Sequence, residues 1–150
     1  MDTRGALRQV NQALTFVDTN ILIYAHDTHD LDKHRTAVSI VTDLWETDTG
    51  ALSTQVLQEF YNASTKKLKK PLSRWEARER VANYSEWRTV ETDALLIVSA
   101  SKLEEDHTLA FYDALIVEAA LRSGATKLLT EDMQHGRRFG NLLIENPFRP

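Results

Sequence analysis

The chain of 150 residues is 42% hydrophobic and 27% charged, which supports one domain with a packed core and excludes a disordered tail. It has no cysteine, which excludes disulfides, thiolate metal sites and cysteine nucleophiles and fits a reducing compartment. Its net charge of −4 has the wrong sign for general phosphate binding, so any contact with nucleic acid must come from a local basic patch.

No apolar run approaches the roughly 18 residues that a membrane-spanning helix needs, so no membrane contact is expected. The first fourteen residues carry Asp2, Arg4 and Arg8 and lack the apolar stretch of a secretory signal, so the expected location is the cytoplasm. Residues 1–14 show weak helical spacing. They are interpreted as an N-terminal extension of unknown role, followed by a single domain over residues 15–150.

Hydrophobic periodicity and turn residues divide the chain into alternating strands and helices. The predicted strands cover residues 15–17, 50–52, 87–90, 127–130 and 142–145. The first predicted helix begins at residues 20–24, and the others cover residues 30–45, 55–69, 73–84, 94–103 and 110–122. Pro71 ends the third helix and Gly124 ends the last one. This alternation predicts the α/β class, as an α/β/α sandwich with a mostly parallel central sheet.

Two acidic residues follow predicted strands, at the edge where open parallel sheets bind ligands. Asp18 comes directly after the first strand, and Asp132 comes two residues after Thr130, which ends the fourth. Taken alone, each acid is better explained as the N-cap of a helix.

Asp113 is harder to explain as a structural residue. On a helix with about 100° per residue, Ile116 and Val117 fall around it on one face, and no lysine or arginine of that helix shares this face. A buried ionised carboxylate is costly unless it is paired or bound to a metal. Asp113 is therefore the strongest candidate for a metal or catalytic role, with a buried salt bridge or shared proton as the alternative. Glu59 lies at the edge of the apolar face of its helix and, by itself, is interpreted as a boundary residue that reaches water.

Converging carboxylates repel one another, and a bound cation stabilises them in the ionised form. Oxygen-only ligands suit Mg²⁺ or Mn²⁺, and the five histidines show no zinc-type spacing on one element. If the acids meet at one edge of the sheet, the sequence predicts a magnesium or manganese site there.

Basic residues cluster at the end of the third predicted helix and the start of the next. The possible RNA contacts among them are Lys66, Lys67, Lys69, Lys70 and Arg74. One interpretation is a solvated helix end, where cations interact favourably with the macrodipole. The other is a rim beside the acidic pocket that contacts successive phosphates. The sequence favours neither.

Five motifs in order resemble those of PIN-domain ribonucleases, and the nearest subgroup is the VapC-like toxins of toxin–antitoxin pairs. The motifs are FVDTN at 16–20, QVLQEF at 55–60, YDALIVEAA at 112–120, LTEDMQHG at 129–136 and IENPF at 144–148. One motif alone would be weak evidence, but their order and domain-scale spacing make the resemblance specific.

The resemblance implies an acidic quartet with metal-binding and catalytic roles, formed by Asp18, Glu59, Asp113 and Asp132. It implies two supporting polar residues, Asn20 and Thr130. It further implies Mg²⁺ or Mn²⁺ as cofactor, cleavage of RNA by a metal-activated water, a homodimer and a cognate antitoxin protein. The chain departs from such toxins in the fourteen residues that precede its first strand.

Two other functions fit part of the pattern. A PIN-like module that binds RNA or protein without nuclease activity would have no need of four acids. A phosphoryl-transfer domain, such as a response-regulator receiver or an aspartyl phosphatase, usually has adjacent acids or a D-x-D motif after its first strand. Here the segment Asp18-Thr19-Asn20 offers one acid only.

Overall fold

A computed structural model describes residues 12–150, so the predicted N-terminal extension lies outside the described residues except for its last three. The strands are β1 (Thr15–Val17), β2 (Gly50–Ser53), β3 (Arg88–Val90), β4 (Lys127–Leu129), β5 (Arg138–Phe139) and β6 (Leu142–Glu145). The helices of the described part are α1 (Thr19–His26), α2 (Leu31–Thr47), α3 (Thr54–Lys66), α4 (Arg74–Tyr84), α5 (Ala94–His107) and α6 (Phe111–Ser123).

The six strands form one sheet in the order β3-β2-β1-β4-β6-β5. Every pair is parallel except β5 and β6, which are antiparallel at the edge. From β1 the chain moves first to β2 and β3 on one side and later to β4 on the other, so the strand order reverses between β1 and β4. Ligand sites of open parallel sheets lie at such a reversal, beyond the carboxyl ends of the strands. The predicted α/β fold with a mostly parallel sheet is confirmed.

The helices cover the sheet in two groups. In one group α5 packs on α6, which lies over β2, β3 and β4; in the other, α1 packs on α2 and α3, and α3 also packs on α4. All four residues of β2 are buried, as expected for a strand with both faces covered. Within residues 12–150, no helix has the length and apolar character needed to cross a membrane.

A close contact fixes the amino end of β2, opposite to the edge at which the parallel strands end. A Cβ atom added at Gly50 would lie 2.5 Å from the ring of Trp87. Trp87 is buried and packs edge-on against Tyr84. Glycine at position 50 therefore allows the indole ring to close this end of the core.

Most predicted elements begin and end within two residues of the observed ones, but two helix ends and one strand differ by more. α3 ends at Lys66 rather than Lys69, because the chain turns back so that the Leu72 amide donates to the Ser64 carbonyl at 2.9 Å. α5 continues four residues beyond the predicted end, to His107. Strand β5 was not predicted, since two residues are too few to show an alternating pattern.

Candidate active site

The strand reversal brings Asp18 and Thr130 together. Asp18 follows β1 and is the N-cap of α1, where its Oδ1 accepts a hydrogen bond from the Thr19 amide at 2.7 Å. Its Oδ2 accepts from the Thr130 hydroxyl at 2.8 Å. The Asp18 side chain is only 7% exposed, so it is held in one orientation at the edge of the sheet.

A second set of hydrogen bonds positions Asp132 after β4. The Thr130 hydroxyl accepts from the Asp132 amide at 3.2 Å. The Asn20 side chain donates to Asp132 Oδ2 at 3.0 Å and accepts from the Glu131 amide at 3.3 Å. The two residues predicted as supporting groups, Asn20 and Thr130, therefore contact carboxylates of the predicted quartet.

The other two acids come from helices. Glu59 lies on an exposed part of α3, and its Oε1 accepts from the Thr19 hydroxyl at 3.0 Å. Asp113 lies in the first turn of α6 and is half-buried. Asp113 is less buried than Asp18, although most of the residues that follow it on α6 are apolar and buried.

All four predicted acids line one cleft of about 100 Å³. The residues that line it are Asp18, Thr19, Asn20, Gln55, Glu59, Tyr112, Asp113, Ile116 and Asp132. We call this space the four-acid cleft. It lies at the carboxyl ends of β1 and β4, the place that the sheet topology marks for a ligand.

The four-acid cleft is electrostatically unfavourable as it stands. Burial raises the pKa of Asp18 to about 6, against the hydrogen bonds from Thr130 and Thr19, and the charges of Glu59 and Asp132 raise it further. Burial and the charge of Asp132 also raise the pKa of Asp113. None of the ion pairs found within residues 12–150 includes one of the four acids.

The donor set has the chemistry of a site for a hard divalent cation, because it offers several carboxylate oxygens that repel one another. Even so, no three acidic or histidine side chains of residues 12–150 form a ready-made metal site. The hydrogen bonds from Thr19 to Glu59 and from Asn20 to Asp132 hold two of the acids in separate places. The residues therefore fit the charge and oxygen preference of such a cation, while its binding requires these side chains to reorient or to act through water.

The basic residues do not form one rim around the cleft. Lys66 donates to Asn62 at 2.9 Å on α3, one turn beyond Asn62 and two turns beyond Glu59 along the same helix. Lys69 and Lys70 line a different cleft, of about 320 Å³, between the ends of α1 and α3. Residues 67–70 follow the end of the helix rather than belonging to it.

Three polar residues of the cleft were not assigned to the site from the sequence. From the sequence, Thr19 and Tyr112 were considered only as parts of motifs, and Gln55 only as part of a motif at the start of a helix. Thr19 stands between two singled-out residues, and Tyr112 precedes Asp113 and is 69% exposed. Gln55 and Glu59 are four residues apart and so share a helix face. That spacing is the signal that could have found Gln55.

Comparison with known proteins gives one family and a set of related folds. Residues 15–138 match the PIN domain family. A chain of a toxin–antitoxin complex from Klebsiella pneumoniae aligns with a TM-score of 0.65 and 18% identity over 91% of this chain and 99% of that one. A chain of VapBC2 from Rickettsia felis, bound to a DNA fragment from their promoter, aligns with a TM-score of 0.60 and 22% identity over 89% and 98%.

A third structure is VapC20 from Mycobacterium tuberculosis, described as a Sarcin-Ricin loop cleaving toxin. It aligns with a TM-score of 0.57 and 20% identity over 76% of this chain and 86% of that one. At such identities the three structures establish a shared fold. The search of curated proteins finds no match.

Proposed function

The chain belongs to the PIN-domain family, and on this premise we propose that it is a metal-dependent endoribonuclease. The observation that carries the proposal is the four-acid cleft, which is lined by carboxylates from the end of β1, α3, α6 and the segment after β4, without a lysine or arginine partner in the described residues. A purely structural role does not explain four mutually repelling acids at the ligand-binding edge of the sheet.

The proposed cofactor is Mg²⁺ or Mn²⁺. The residues that would hold it are Asp18, Glu59, Asp113 and Asp132. When bound, the cation lowers the pKa of a water molecule and offsets the negative charge that develops on the phosphodiester. Asp18 and Asp113 are the first choices as direct ligands because they are the most constrained of the four: Asp18 is buried and Asp113 half-buried, whereas Glu59 and Asp132 are exposed.

The chain's own residues orient the reacting groups. Thr130 and the Thr19 amide hold both oxygens of Asp18, which fixes the direction of its remaining lone pairs toward the cleft. Asn20 donates to one oxygen of Asp132 and leaves the other free of hydrogen bonds within the described residues. Tyr112 is exposed at the mouth of the cleft, where its ring offers a surface on which an RNA base can stack.

The proposed path of the RNA backbone runs along α3. Glu59, Asn62 and Lys66 lie at positions i, i+3 and i+7 of this helix and share one face. At 1.5 Å per residue, Lys66 is about 10 Å from Glu59 along the helix axis, a distance that one or two nucleotides span. Lys67, Lys69, Lys70 and Arg74 extend the positive charge beyond the helix end.

The direct test is RNA cleavage by the purified chain with Mg²⁺ or Mn²⁺ and after removal of divalent ions with a chelator. We expect cleavage by the wild type only with the cation, and none by Asp113→Asn. Sequencing of the RNA ends would identify the target. Metal-independent cleavage, or equal cleavage by Asp113→Asn, contradicts the proposal.

A second candidate function is a PIN-like module that binds RNA or protein without cleaving it. The separation of the acids in the described residues, which leaves no ready-made metal site, is the observation that favours it. This candidate predicts firm RNA or protein binding with no cleavage at any concentration of Mg²⁺ or Mn²⁺. The cleavage experiment therefore separates the two.

We further propose that the chain is the toxin of a type II toxin–antitoxin pair that acts in the cytoplasm as a homodimer. Support comes from chains of toxin–antitoxin complexes that share its fold and from exposed apolar side chains on α5, such as Leu95 and Val98, that a second copy would bury. Expression should arrest growth, and the product of a neighbouring gene should relieve the arrest. An active nuclease that arrests nothing would contradict the toxin role while leaving the ribonuclease proposal intact.

A further inference from the structure

Gln55 carries an anomaly at the base of the four-acid cleft. It is the second residue of α3, just past the carboxyl end of β2, and its side chain lines the cleft beside Glu59. The residue is only 8% exposed, and its side-chain oxygen Oε1 is buried without a hydrogen-bond partner. Within residues 12–150 the only other buried side-chain atom in this condition is Nε1 of Trp87.

An unpartnered amide oxygen loses its bonds to water and gains nothing in return, whereas a leucine of similar size would bury apolar atoms at no such penalty. The two unpartnered atoms differ in their surroundings. Trp87 packs in an aromatic cluster with Trp45 and Tyr84, where its indole contributes apolar area. Gln55 lines the four-acid cleft together with the carboxylates, and its oxygen carries the same sign of partial charge as theirs.

A cation in the cleft would resolve both unfavourable features at once. Carboxylate oxygens and a side-chain amide oxygen are ligands of the same hard type. A fifth carboxylate at position 55 would add to the repulsion among the four acids of the cleft. A neutral amide adds an oxygen donor without adding charge.

We infer that the side-chain oxygen of Gln55 is a fifth ligand of the divalent cation in the four-acid cleft. This inference rests on the proposed function, since it assumes that the cleft binds Mg²⁺ or Mn²⁺. It makes Gln55 a residue that sets cation affinity, and it makes the start of α3 part of the site together with Glu59 one turn later.

The test is calorimetric titration of the full chain with Mn²⁺, together with thermal unfolding with and without Mn²⁺. Gln55→Leu keeps the size of the side chain and removes the oxygen. We expect about tenfold weaker Mn²⁺ binding, in line with losses seen when groups around a metal are removed. Without Mn²⁺, the unfolding temperature should stay the same or rise, because the unpartnered oxygen is gone.

Two further variants complete the design. Gln58→Leu makes the same change three residues later on α3, at an exposed position that lines a different cleft, and should bind Mn²⁺ as the wild type does. Gln55→Glu retains a side-chain oxygen at the site and should bind Mn²⁺ at least as well as Gln55→Leu does. The expected pattern is that Gln55→Leu has the weakest Mn²⁺ binding of the series, with Gln58→Leu equal to the wild type.

Wild-type affinity for Mn²⁺ in Gln55→Leu would overturn the inference, while binding and cleavage by the wild type would leave the proposed function standing. Unchanged Mn²⁺ affinity combined with a raised KM for RNA would place Gln55 on the substrate and would also overturn it. A wild type that neither binds Mn²⁺ nor cleaves RNA would overturn the inference and the proposed function together.

Discussion

Two neighbouring carboxylates after β4 lie in opposite surroundings. Glu131 accepts a hydrogen bond from the Tyr24 hydroxyl at 2.6 Å and pairs with the Lys33 ammonium at 2.6 Å. Asp132, the next residue, lines the four-acid cleft. Among the described residues, the only hydrogen bond to its side chain comes from the neutral amide of Asn20. The contact with Glu131 raises the pKa of Lys33, whereas the charge of Asp132 raises the pKa of Asp18 and Asp113.

The difference separates a structural carboxylate from a functional one. The chain supplies its own cation to Glu131, so that pair is complete and ties α2 to the segment after β4. Within residues 12–150, no lysine or arginine pairs with Asp132 or with the other three acids of the cleft, so a stable charged form of that cleft requires a cation from solution.

The largest expected effect comes from replacing Asp132 or Glu131, one at a time, with the corresponding amide. Asp132→Asn should reduce RNA cleavage at saturating Mg²⁺ by about a thousandfold, since loss of a metal-binding carboxylate removes several kcal/mol of stabilisation from the transition state. Glu131→Gln should change cleavage by less than about tenfold, because its carboxylate contacts Tyr24 and Lys33 and does not line the cleft. Single-turnover cleavage of a defined RNA measures both. Equal losses in the two variants would show that the division is wrong.

Next is the pH dependence of stability without divalent ions. Burial raises the pKa of Asp18 from 3.8 to about 6, so the folded protein binds a proton there that the unfolded chain has already released. The free energy of unfolding contributed by Asp18 is fully present below about pH 4 and is lost as pH rises through 6, a change of about 3 kcal/mol. Urea unfolding at pH 4 and pH 7 measures it.

Asp18→Asn is the control for this profile. His26 works in the opposite direction, because burial lowers its pKa to about 4 and its contribution to stability is lost as pH falls from 6.5 toward 4. It is present in both proteins, so the difference between wild type and Asp18→Asn isolates Asp18. If the free energy of unfolding changes equally in the two proteins between pH 4 and 7, the pKa of Asp18 is not raised by folding.

A smaller effect is expected from Thr130→Val, a change of nearly constant size at a fully buried position. It removes the hydroxyl that donates to Asp18 and accepts from the Asp132 amide. Affinity for Mn²⁺ should fall by about 10- to 100-fold, the usual range for a group that orients a metal ligand. Thr126→Val, an exposed change before β4, should leave Mn²⁺ binding unchanged in the same titration. An unchanged affinity in Thr130→Val would show that Thr130 serves the fold alone.

The fold was predictable because strand and helix periodicities follow one another without interruption, and four of the parallel strands, β1, β2, β4 and β6, contain a short apolar run. β5 was not, since it exists only through pairing with β6. The end of α3 was not either, because the lysines after Lys66 are good helix formers and the turn is fixed by a contact between Leu72 and Ser64. Local pattern thus located the elements, and tertiary contacts set some of their ends.

The site was predictable to the extent that its residues were locally anomalous. Asp113 stood out in an apolar helix, and Asp18 followed a strand. The contacts that join the cleft, from Thr130 to Asp18 and from Thr19 to Glu59, connect residues 112 and 40 positions apart. No local pattern records such distances. Gln55 was missed for a related reason, because an unpartnered oxygen is visible only once its neighbours are placed.

The structural role of the Lys33–Glu131 pair is tested by Lys33→Met. This variant keeps the length of the side chain and removes its charge. Because Lys33 is about one-third exposed, its pair with Glu131 should contribute about 1 kcal/mol to the free energy of unfolding. Urea unfolding should detect this loss while Mn²⁺ affinity stays at the wild-type value. A loss of Mn²⁺ affinity as large as that of Thr130→Val would mean that the Glu131 contact positions the cleft after all.

The smallest effect is expected from the basic residues after Glu59 on α3, which belong neither to the Glu131 pair nor to the four-acid cleft. Lys66→Gln should raise the KM for RNA about two- to threefold at low salt, leave kcat unchanged and reduce the salt dependence of binding by about one ion. The matched control is Lys127→Gln, which removes an exposed lysine at the amino end of β4, opposite to the cleft, where it lies 3.8 Å from Glu145. Lys127→Gln should retain the wild-type KM and salt dependence, because the proposed RNA path does not reach that edge of the sheet. Equal changes in the two variants would mean that RNA responds to the total charge of the protein rather than to a path along α3.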